Sequence, residues 1–313
     1  MKKTNKLYLI FLIVFLSVFY FLVENQFYRS IVIYVMFNAI NASLLNILFG
    51  YAGIISLGQA AFFGIGAYTT GILTVHFGIN PFLTILIGAF ISFVVAYIVG
   101  FPTLKLHGHY LAMATLGFGM IVYILFNEFT DITGGPSGLV GIAKLSIFGI
   151  LIDDESKFYI FFSVIFVGFS ILLELFDKSF YSYKLKFIKE SESASKSFGI
   201  NVSKVKLIVF ATTSMFSAVV GSLFAFYSGF ISPVSFSLKY SIDLFVMATL
   251  GGLGSITGGT LGAALLTVFP ELISNFEDYE MIIYGSLLAI IVMFFPQGIS
   301  GLIKKMLGKY VRS

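Results

Sequence analysis

The chain has little charge and lacks several residues on which enzyme chemistry depends. Only 11% of its 313 residues are charged and 58% are hydrophobic, whereas an ordinary soluble domain carries about 25% charge. Cysteine is absent, which excludes disulfides and thiolate ligands, and the three histidines have no metal-ligand spacing. No glycine-rich loop ends in Gly-Lys-Ser/Thr, so the chain has no such route to ATP hydrolysis. We therefore expect no metal, no cofactor and no enzyme activity.

So little charge cannot cover a soluble surface, and apolar runs of about 20 residues recur along the chain. We predict an all-α polytopic membrane protein with about ten spans and glycine-rich broken helices, forming one transmembrane domain over residues 1–313. The first apolar run lacks a signal-peptide cleavage pattern and is interpreted as a retained helix. The eighth is too short to cross alone and is interpreted as a half-helix or as part of a longer tilted element. The predicted spans are 7–23, 31–49, 59–77, 82–100, 110–126, 158–176, 205–230, 242–253, 258–273 and 281–295.

The basic residues predict the orientation of these spans. They concentrate before the first span, in the loop 178–206 and in the tail 297–313, and even numbers of predicted spans separate these three stretches. The positive-inside rule places all three in the cytoplasm, with both chain ends. Acidic residues concentrate in the loops on the other side. The net charge of +4 thus sets orientation and does not indicate nucleic-acid binding.

Two glycine-rich segments, 50–68 and 250–263, interrupt the apolar pattern in the two halves of the chain. Non-helical backbone at membrane depth is tolerated only inside protein or along a water-filled path, and such paired breaks point to a transport pathway. Close packing of helices on small residues is the alternative for any single glycine. The candidate pathway residues are Gly53, Ser56, Gly58, Gln59, Thr115, Gly252, Gly254 and Ser255.

The basic loop 178–206 has the pattern of a docking element. Tyr181, Leu185 and Ile188 fall on one face of a helix, and Gly199 stands where a C-terminal cap glycine would. A short amphipathic helix at the cytoplasmic surface docks either to membrane or to a partner protein. A solvated basic loop is the alternative. The candidate docking residues are Glu192, Ser193, Ala194, Ser195, Phe198 and Gly199.

The spans hold no carboxylate or histidine at depth, which proton- and sodium-coupled carriers usually need. A stand-alone secondary carrier is therefore disfavoured, and a membrane enzyme would need a cluster of histidine and aspartate that the spans do not show. Energy for uphill transport has to come from elsewhere.

Six segments follow one another along the chain: 53–68, 110–119, 133–139, 198–202, 232–236 and 250–255. Together, in this order, they resemble the LivM-type permease of bacterial branched-chain amino acid ABC importers. The resemblance covers nearly the whole chain from about residue 31. One departure lies in the cytoplasmic loop, where Ala194-Ser195 stands in place of the family's paired alanines.

The resemblance implies a multi-pass permease in a bacterial cell membrane that conducts branched-chain amino acids. It also implies a homologous LivH-type permease subunit, two cytoplasmic ATP-binding subunits that contact the loop, and an extracytoplasmic substrate-binding protein. Permeases for urea, short amides or sugars in the same superfamily remain alternatives, because small and weakly polar linings suit all of these solutes.

Overall fold

The computed structural model describes residues 2–147, 150–273, 285 and 298–301. Within these residues the chain is almost entirely helical, and its four strands have two residues each. The predicted span 281–295, apart from residue 285, and most of the tail 297–313 lie outside the described residues. The helices are α1 (Lys2–Leu22), α2 (Gln26–Asn46), α3 (Gln59–Val75), α4 (Pro81–Thr103), α5 (His109–Glu128), α6 (Thr130–Thr133), α7 (Glu155–Asp177), α8 (Phe180–Glu190), α9 (Glu192–Ser197), α10 (Val202–Ser228), α11 (Leu238–Gly251) and α12 (Ile256–Ile273). The strands are β1 (Leu139–Val140), β2 (Ser146–Ile147), β3 (Ile150–Leu151) and β4 (Phe230–Ile231).

Five helices in the described part of the chain are long and apolar enough to cross a membrane. They are α4, α5, α7, α10 and α2 together with the π-helical turn Ile47–Tyr51 that continues it. The all-α class is confirmed. The half-helix interpretation of residues 242–253 agrees with α11, which has 14 residues and ends at the second glycine-rich segment.

The chain forms two compact units, each assembled from separate segments. Unit 1 comprises residues 1–46, 154–183 and 245–313, and unit 2 comprises residues 47–153 and 184–244. The unit boundary therefore falls directly before the π-helical turn.

Unit 1 is built on α2, which packs against α7 and α12. Phe37 of α2 stacks on Phe162 of α7, with ring centroids 4.1 Å apart. Towards α12, the Asn38 amide donates to the Thr267 hydroxyl at 2.8 Å. Aromatic packing on one side and polar contacts on the other fix the rotation of α2 in this unit.

Unit 2 is built on α10, which packs closely against α3 and α4. Small residues allow this approach: a Cβ on Gly66 would overlap the Ala218 carbonyl, and a Cβ on Gly221 would overlap the Phe63 carbonyl. The Ser222 hydroxyl donates to Gly66 O at 3.1 Å across the same interface. Gly66 was assigned to the first break by sequence, but it serves helix packing, as small residues commonly do in membranes.

A short two-stranded pairing closes one end of unit 2. Strand β1 pairs antiparallel with β4, with Leu139 opposite Ile231. The chain reaches β1 through a turn in which Gly134, Gly135 and Gly138 all have positive φ, as glycine allows. This pairing joins the end of α10 to the segment that follows α5.

Candidate functional site

The first break consists of a wide turn followed by irregular backbone. Helix α2 changes to the π-helical turn Ile47–Tyr51, residues 53–58 are non-helical, and α3 begins at Gln59. The break is thus narrower than the predicted segment 50–68. π-helical turns are rare and often occur at functional sites. A turn of this kind directly before a non-helical segment makes this region a candidate functional site.

Gln59 stands at the start of α3 and is fully buried. Neither its side-chain oxygen nor its side-chain nitrogen has a hydrogen-bond partner among the described residues. An unpaired buried amide costs about 1–3 kcal/mol for each group left without a partner. Such a group is disfavoured on stability grounds alone, so it points to a contact that the isolated chain does not make.

Hydroxyl groups from two other helices hold the backbone around Gln59. Thr115 Oγ1 of α5 accepts from the Leu57 N–H at 3.0 Å, and Ser241 Oγ of α11 accepts from the Ala60 N–H at 3.1 Å. Both hydroxyls bind free backbone donors near the helix start, which leaves the Gln59 side chain as the unpaired polar group there.

The other first-break candidates have clear structural roles. Ser56 is buried, with its hydroxyl 3.5 Å from the Gly58 N–H, the limit of a hydrogen bond. Gly58 has no space for a side chain, since a Cβ there would lie 2.7 Å from Thr115 O. Gly53 has φ +69° and is exposed. Unit 2 thus brings Ser56, Gly58, Gln59 and Thr115 together.

The second break belongs to unit 1 and has a different construction. Gly252 and Gly254 have φ of +110° and +73°. One side chain holds the whole segment: the Asn46 amide donates to Gly252 O at 3.1 Å and to Ser255 O at 3.0 Å. Its oxygen accepts from the Gly254 N–H at 2.7 Å. Asn46 is fully used by these three bonds, and it is the last residue of α2.

The basic loop folds into two helices, where the sequence had indicated one docking helix. Ser191 separates α8 from α9 and caps α9, accepting from the Ala194 N–H at 3.2 Å. The α9 helix ends at Ser197, and Gly199 follows in the predicted cap position with φ +76°. The N–H groups of Gly199 and Ile200 bond back to Lys196 O and Ser195 O, the Schellman pattern of helix ends.

Ion pairs anchor the start of α9. Glu192 pairs with Lys206 of α10 and lies 3.7 Å from the His107 ring. Burial of the Glu192 carboxyl opposes its ionisation, but the hydrogen bond and charge of Lys206, together with His107, hold its pKa below the ordinary value. The carboxylate therefore stays ionised at neutral pH and fixes α9 to α10 within unit 2.

The candidate docking residues divide into a buried and an exposed set. Ser195 is fully buried and its hydroxyl donates to Ser191 O at 2.8 Å, so it stabilises the loop from inside. Ala194 is half-buried and Ser193 is exposed. Phe198 is 77% exposed, although its ring meets that of Phe187 edge-on with centroids 5.7 Å apart. The large exposed Phe198 ring provides the loop with an apolar contact point.

Three polar residues around the two breaks were not predicted from the sequence. Ser241 and Lys189 hold the first break, and Asn46 holds the second. A signal was present only for Asn46, a lone amide at the end of an apolar run and directly before a glycine-rich segment. The other two come from distant parts of the chain, and their contacts depend on the tertiary fold.

The long apolar helices are those of a membrane protein. The chain belongs to the family described as branched-chain amino acid transport system / permease component, whose model matches residues 27–295. That family is one of transport components and not of enzymes.

Curated relatives agree with this assignment. The chain is 34% identical over 278 residues to proteins from Escherichia coli K12 and Salmonella typhimurium, each named high-affinity branched-chain amino acid transport system permease protein LivM. These alignments cover 82% of this chain and 65% of each relative, so the chain spans just under two thirds of their length. The probable LivM of Methanocaldococcus jannaschii is 24% identical, over 82% of this chain and 88% of its own. No solved structure matches the chain.

Proposed function

We propose that this chain is the transmembrane permease subunit of an ABC importer and forms the translocation pathway for branched-chain amino acids. The observation that carries the proposal is Gln59, whose buried side-chain amide stands at a helix break and has no hydrogen-bond partner among the described residues. Membership of the permease family supports branched-chain amino acids as the class of solute.

The chemistry of the first break suits a zwitterionic amino acid. An amide offers both a donor and an acceptor, so Gln59 matches either the ammonium or the carboxylate of the solute. The apolar side chain of the solute meets the Phe62 and Phe63 rings of α3, which are buried in the same unit. We assign Gly53, Ser56, Gly58, Gln59 and Thr115 to the solute path.

The second break contributes to the pathway wall in this proposal. Three of its backbone groups, at Gly252, Gly254 and Ser255, are already bonded to Asn46. It therefore serves to hold a fixed non-helical shape and not to bind solute through a free polar side chain.

We infer about ten crossings within one permease domain of a bacterial cell membrane, with both chain ends in the cytoplasm. The charge asymmetry of the loops supports this orientation. Contacts inside unit 2 agree with it, because the starts of α5 and α10 lie with the basic loop through His107 and Lys206, while their far ends meet at β1 and β4.

The inferred partners are a LivH-type sister permease, two cytoplasmic ATP-binding subunits and an extracytoplasmic substrate-binding protein, with the bilayer as solvent. Support comes from LivH-named relatives, such as that of Salmonella typhimurium, which is 31% identical over 105 residues, 33% of this chain and 34% of its own. The docking loop, with Glu192, Ser193, Ala194, Ser195, Phe198 and Gly199, is the site proposed for the ATP-binding subunits.

The proposal is tested by reconstituting the chain with these partners in liposomes and measuring uptake of radiolabelled leucine, isoleucine and valine. We expect uptake that requires ATP and the ATP-binding subunits. Accumulation by this chain alone under an ion gradient would overturn the importer assignment. ATP-driven uptake of urea, a short amide or a sugar, with none of leucine, would keep the permease and replace its solute.

The inferred orientation is tested with single cysteines, since the chain has none of its own. Ser193 and Ser197 are exposed on α9, whereas the buried Ser195 is a poor labelling position. Ser193→Cys and Ser197→Cys should react with a membrane-permeant maleimide and resist an impermeant one in intact cells. The control Ser156→Cys, in the first turn of α7 on the predicted outer side, should react with both.

A further inference from the structure

Two lysines of the cytoplasmic loop reach the first break directly. Lys189 Nζ donates to Gly50 O at 2.9 Å, in the π-helical turn. Its aliphatic stem passes Gly53, where an added Cβ would lie 3.3 Å from Lys189 Cγ. One turn earlier on α8, Lys186 Nζ lies 4.5 Å from the centroid of the Tyr51 ring. We call Lys186 and Lys189 the lysine pair.

The end of the π-helical turn needs such partners. The last carbonyls of a helix have no bond within the helix, and they carry its partial negative charge. The Leu48 carbonyl accepts from the Ile54 N–H at 2.9 Å, and the Gly50 carbonyl is left for Lys189. The ammonium of Lys189 therefore supplies both the missing hydrogen bond and the complementary charge.

The lysine pair is also firmly joined to the docking surface. Leu185 and Ile188 of α8 are fully buried, so the helix is anchored in the fold. The Ser191 N–H bonds to Phe187 O at 3.1 Å, which ties the end of α8 to the cap of α9. Phe187 also meets the exposed Phe198 ring. A displacement of α9 is thus passed to α8 and to its two lysines.

We propose that Lys189, assisted by Lys186, is the positioning residue that couples the docking loop to the first break. This inference rests on the proposed function and goes beyond it, because it assigns the coupling contact. A docked ATP-binding subunit moves α9 and α8, Lys189 moves the Gly50 carbonyl, and the backbone leading to Ser56 and Gln59 changes position. Lys189 acts on the break and not on the solute.

The test separates coupling from folding and assembly. Lys189→Met keeps most of the aliphatic stem against Gly53 and removes the donor, whereas Lys189→Arg keeps a donor. In the reconstituted complex we expect Lys189→Met to hydrolyse ATP near the wild-type rate while leucine transported per ATP falls about tenfold, a usual scale of coupling between sites. Lys189→Arg should restore most of the loss.

Lys204→Met is the matched control, since Lys204 is an exposed lysine of the same loop and no described contact of its ammonium reaches the break. It should behave as wild type. Unchanged uptake in Lys189→Met would overturn the inference. So would a parallel loss of assembly, ATP hydrolysis and uptake that Lys189→Arg does not relieve, because that pattern indicates a purely structural lysine.

A labelling experiment reads the break itself. Leu57 is half-buried and its backbone, not its side chain, binds Thr115. In active complexes, Leu57→Cys should react with a maleimide at different rates in nucleotide-free and ATP-vanadate-trapped states, and Lys189→Met should remove this difference. An equal difference in both backgrounds would contradict the inference. Wild-type complexes with no ATP-driven uptake would reject the proposed function and the inference together.

Discussion

The two glycine-rich breaks solve the same physical problem in opposite ways. At the second break, Asn46 satisfies two carbonyls and one N–H, and no polar atom of its own is left over. At the first break, the backbone is held by Thr115 and Ser241, while the buried Gln59 amide has no partner in the part of the chain that the structure describes. The amide at the second break uses both of its polar atoms in hydrogen bonds, whereas the amide at the first break uses neither within the described residues.

The difference separates a structural break from a binding break. A membrane interior offers no water to a stranded polar group, so a non-helical segment that has only to keep its shape needs every group paired. A buried amide that is kept unpaired lowers stability, and a solute that bonds to it recovers that loss. Both segments are rich in glycine, so the presence of glycine does not distinguish them. What distinguishes them is whether the side-chain amide at the break has hydrogen-bond partners, as Asn46 has and Gln59 has not among the described residues.

Removal of Asn46 should have the largest effect. Asn46→Leu leaves two buried carbonyls and one part-buried N–H without partners, and at about 1 kcal/mol each we expect a loss of about 3 kcal/mol. The measurement is the Tm of the purified protein in detergent, with the yield of inserted protein. Asn127→Leu is the control, because the described bond of Asn127 is to Tyr123 O in its own helix. Equal Tm values would show that Asn46 does not hold the second break.

Gln59→Leu should separate stability from transport. The substitution replaces an unpaired buried amide by an apolar side chain of similar size, so the free energy of unfolding should stay level or rise by up to about 2 kcal/mol, and Tm should follow it. Uptake should fall about tenfold or more, the effect of losing one hydrogen bond to a charged solute. Uptake at the wild-type level would move the solute contact away from Gln59, whereas a fall in Tm would reveal a partner for the amide.

Gly254 tests the conformational demand of the second break. Its φ of +73° disfavours residues with a Cβ, so Gly254→Ala should cost about 1–2 kcal/mol, and Gly254→Asn less, because asparagine tolerates this region. Uptake per correctly folded molecule should remain normal in both. A selective loss of uptake in the more stable Gly254→Asn variant would show that the second break contacts solute.

Substitution of Glu192 should have the smallest effect on stability. Glu192 lies in the docking loop, whose Lys189 contacts the first break. Because its pKa is lowered, its contribution is present above the ordinary carboxyl pKa and is lost as pH falls through the lowered value. Glu192→Gln should therefore cost about 1 kcal/mol at pH 7 and less in acid. The check is Tm as a function of pH, with the exposed Glu190→Gln as control. A difference that grows towards acid pH would contradict the assigned ion pair.

The sequence predicted the helices more closely than the site. Apolar runs located α4 and α10 within a few residues, because a membrane helix has to match the hydrocarbon thickness. The first break was predicted as residues 50–68, but its non-helical backbone spans only residues 53–58. Gly64 and Gly66 lie in α3, where they pack against Phe126 and Ala218. A glycine used for packing and one used for a turn look the same in local sequence.

The contacts that distinguish the two breaks join residues far apart in the chain. Asn46 and Gly252 are separated by 206 positions, and Lys189 and Gly50 by 139. No period or motif records such pairs in a single sequence. The split at Ser191 was missed for a local reason, because one serine between two short polar helices is a weak cap signal until its bond to Ala194 is seen.

The interleaving of the two units has a consequence for biogenesis. The chain passes between them four times, at residues 46/47, 153/154, 183/184 and 244/245. Unit 2 acquires α10, on which α3 and α4 pack, only after the α7 segment of unit 1 has been synthesised. The β1 and β4 strands likewise pair only once the ribosome has passed Ile231. Helices α3 and α4 are therefore synthesised before α10 can cover the small-residue faces on which it packs. A truncation after residue 183 leaves each unit without its last segment.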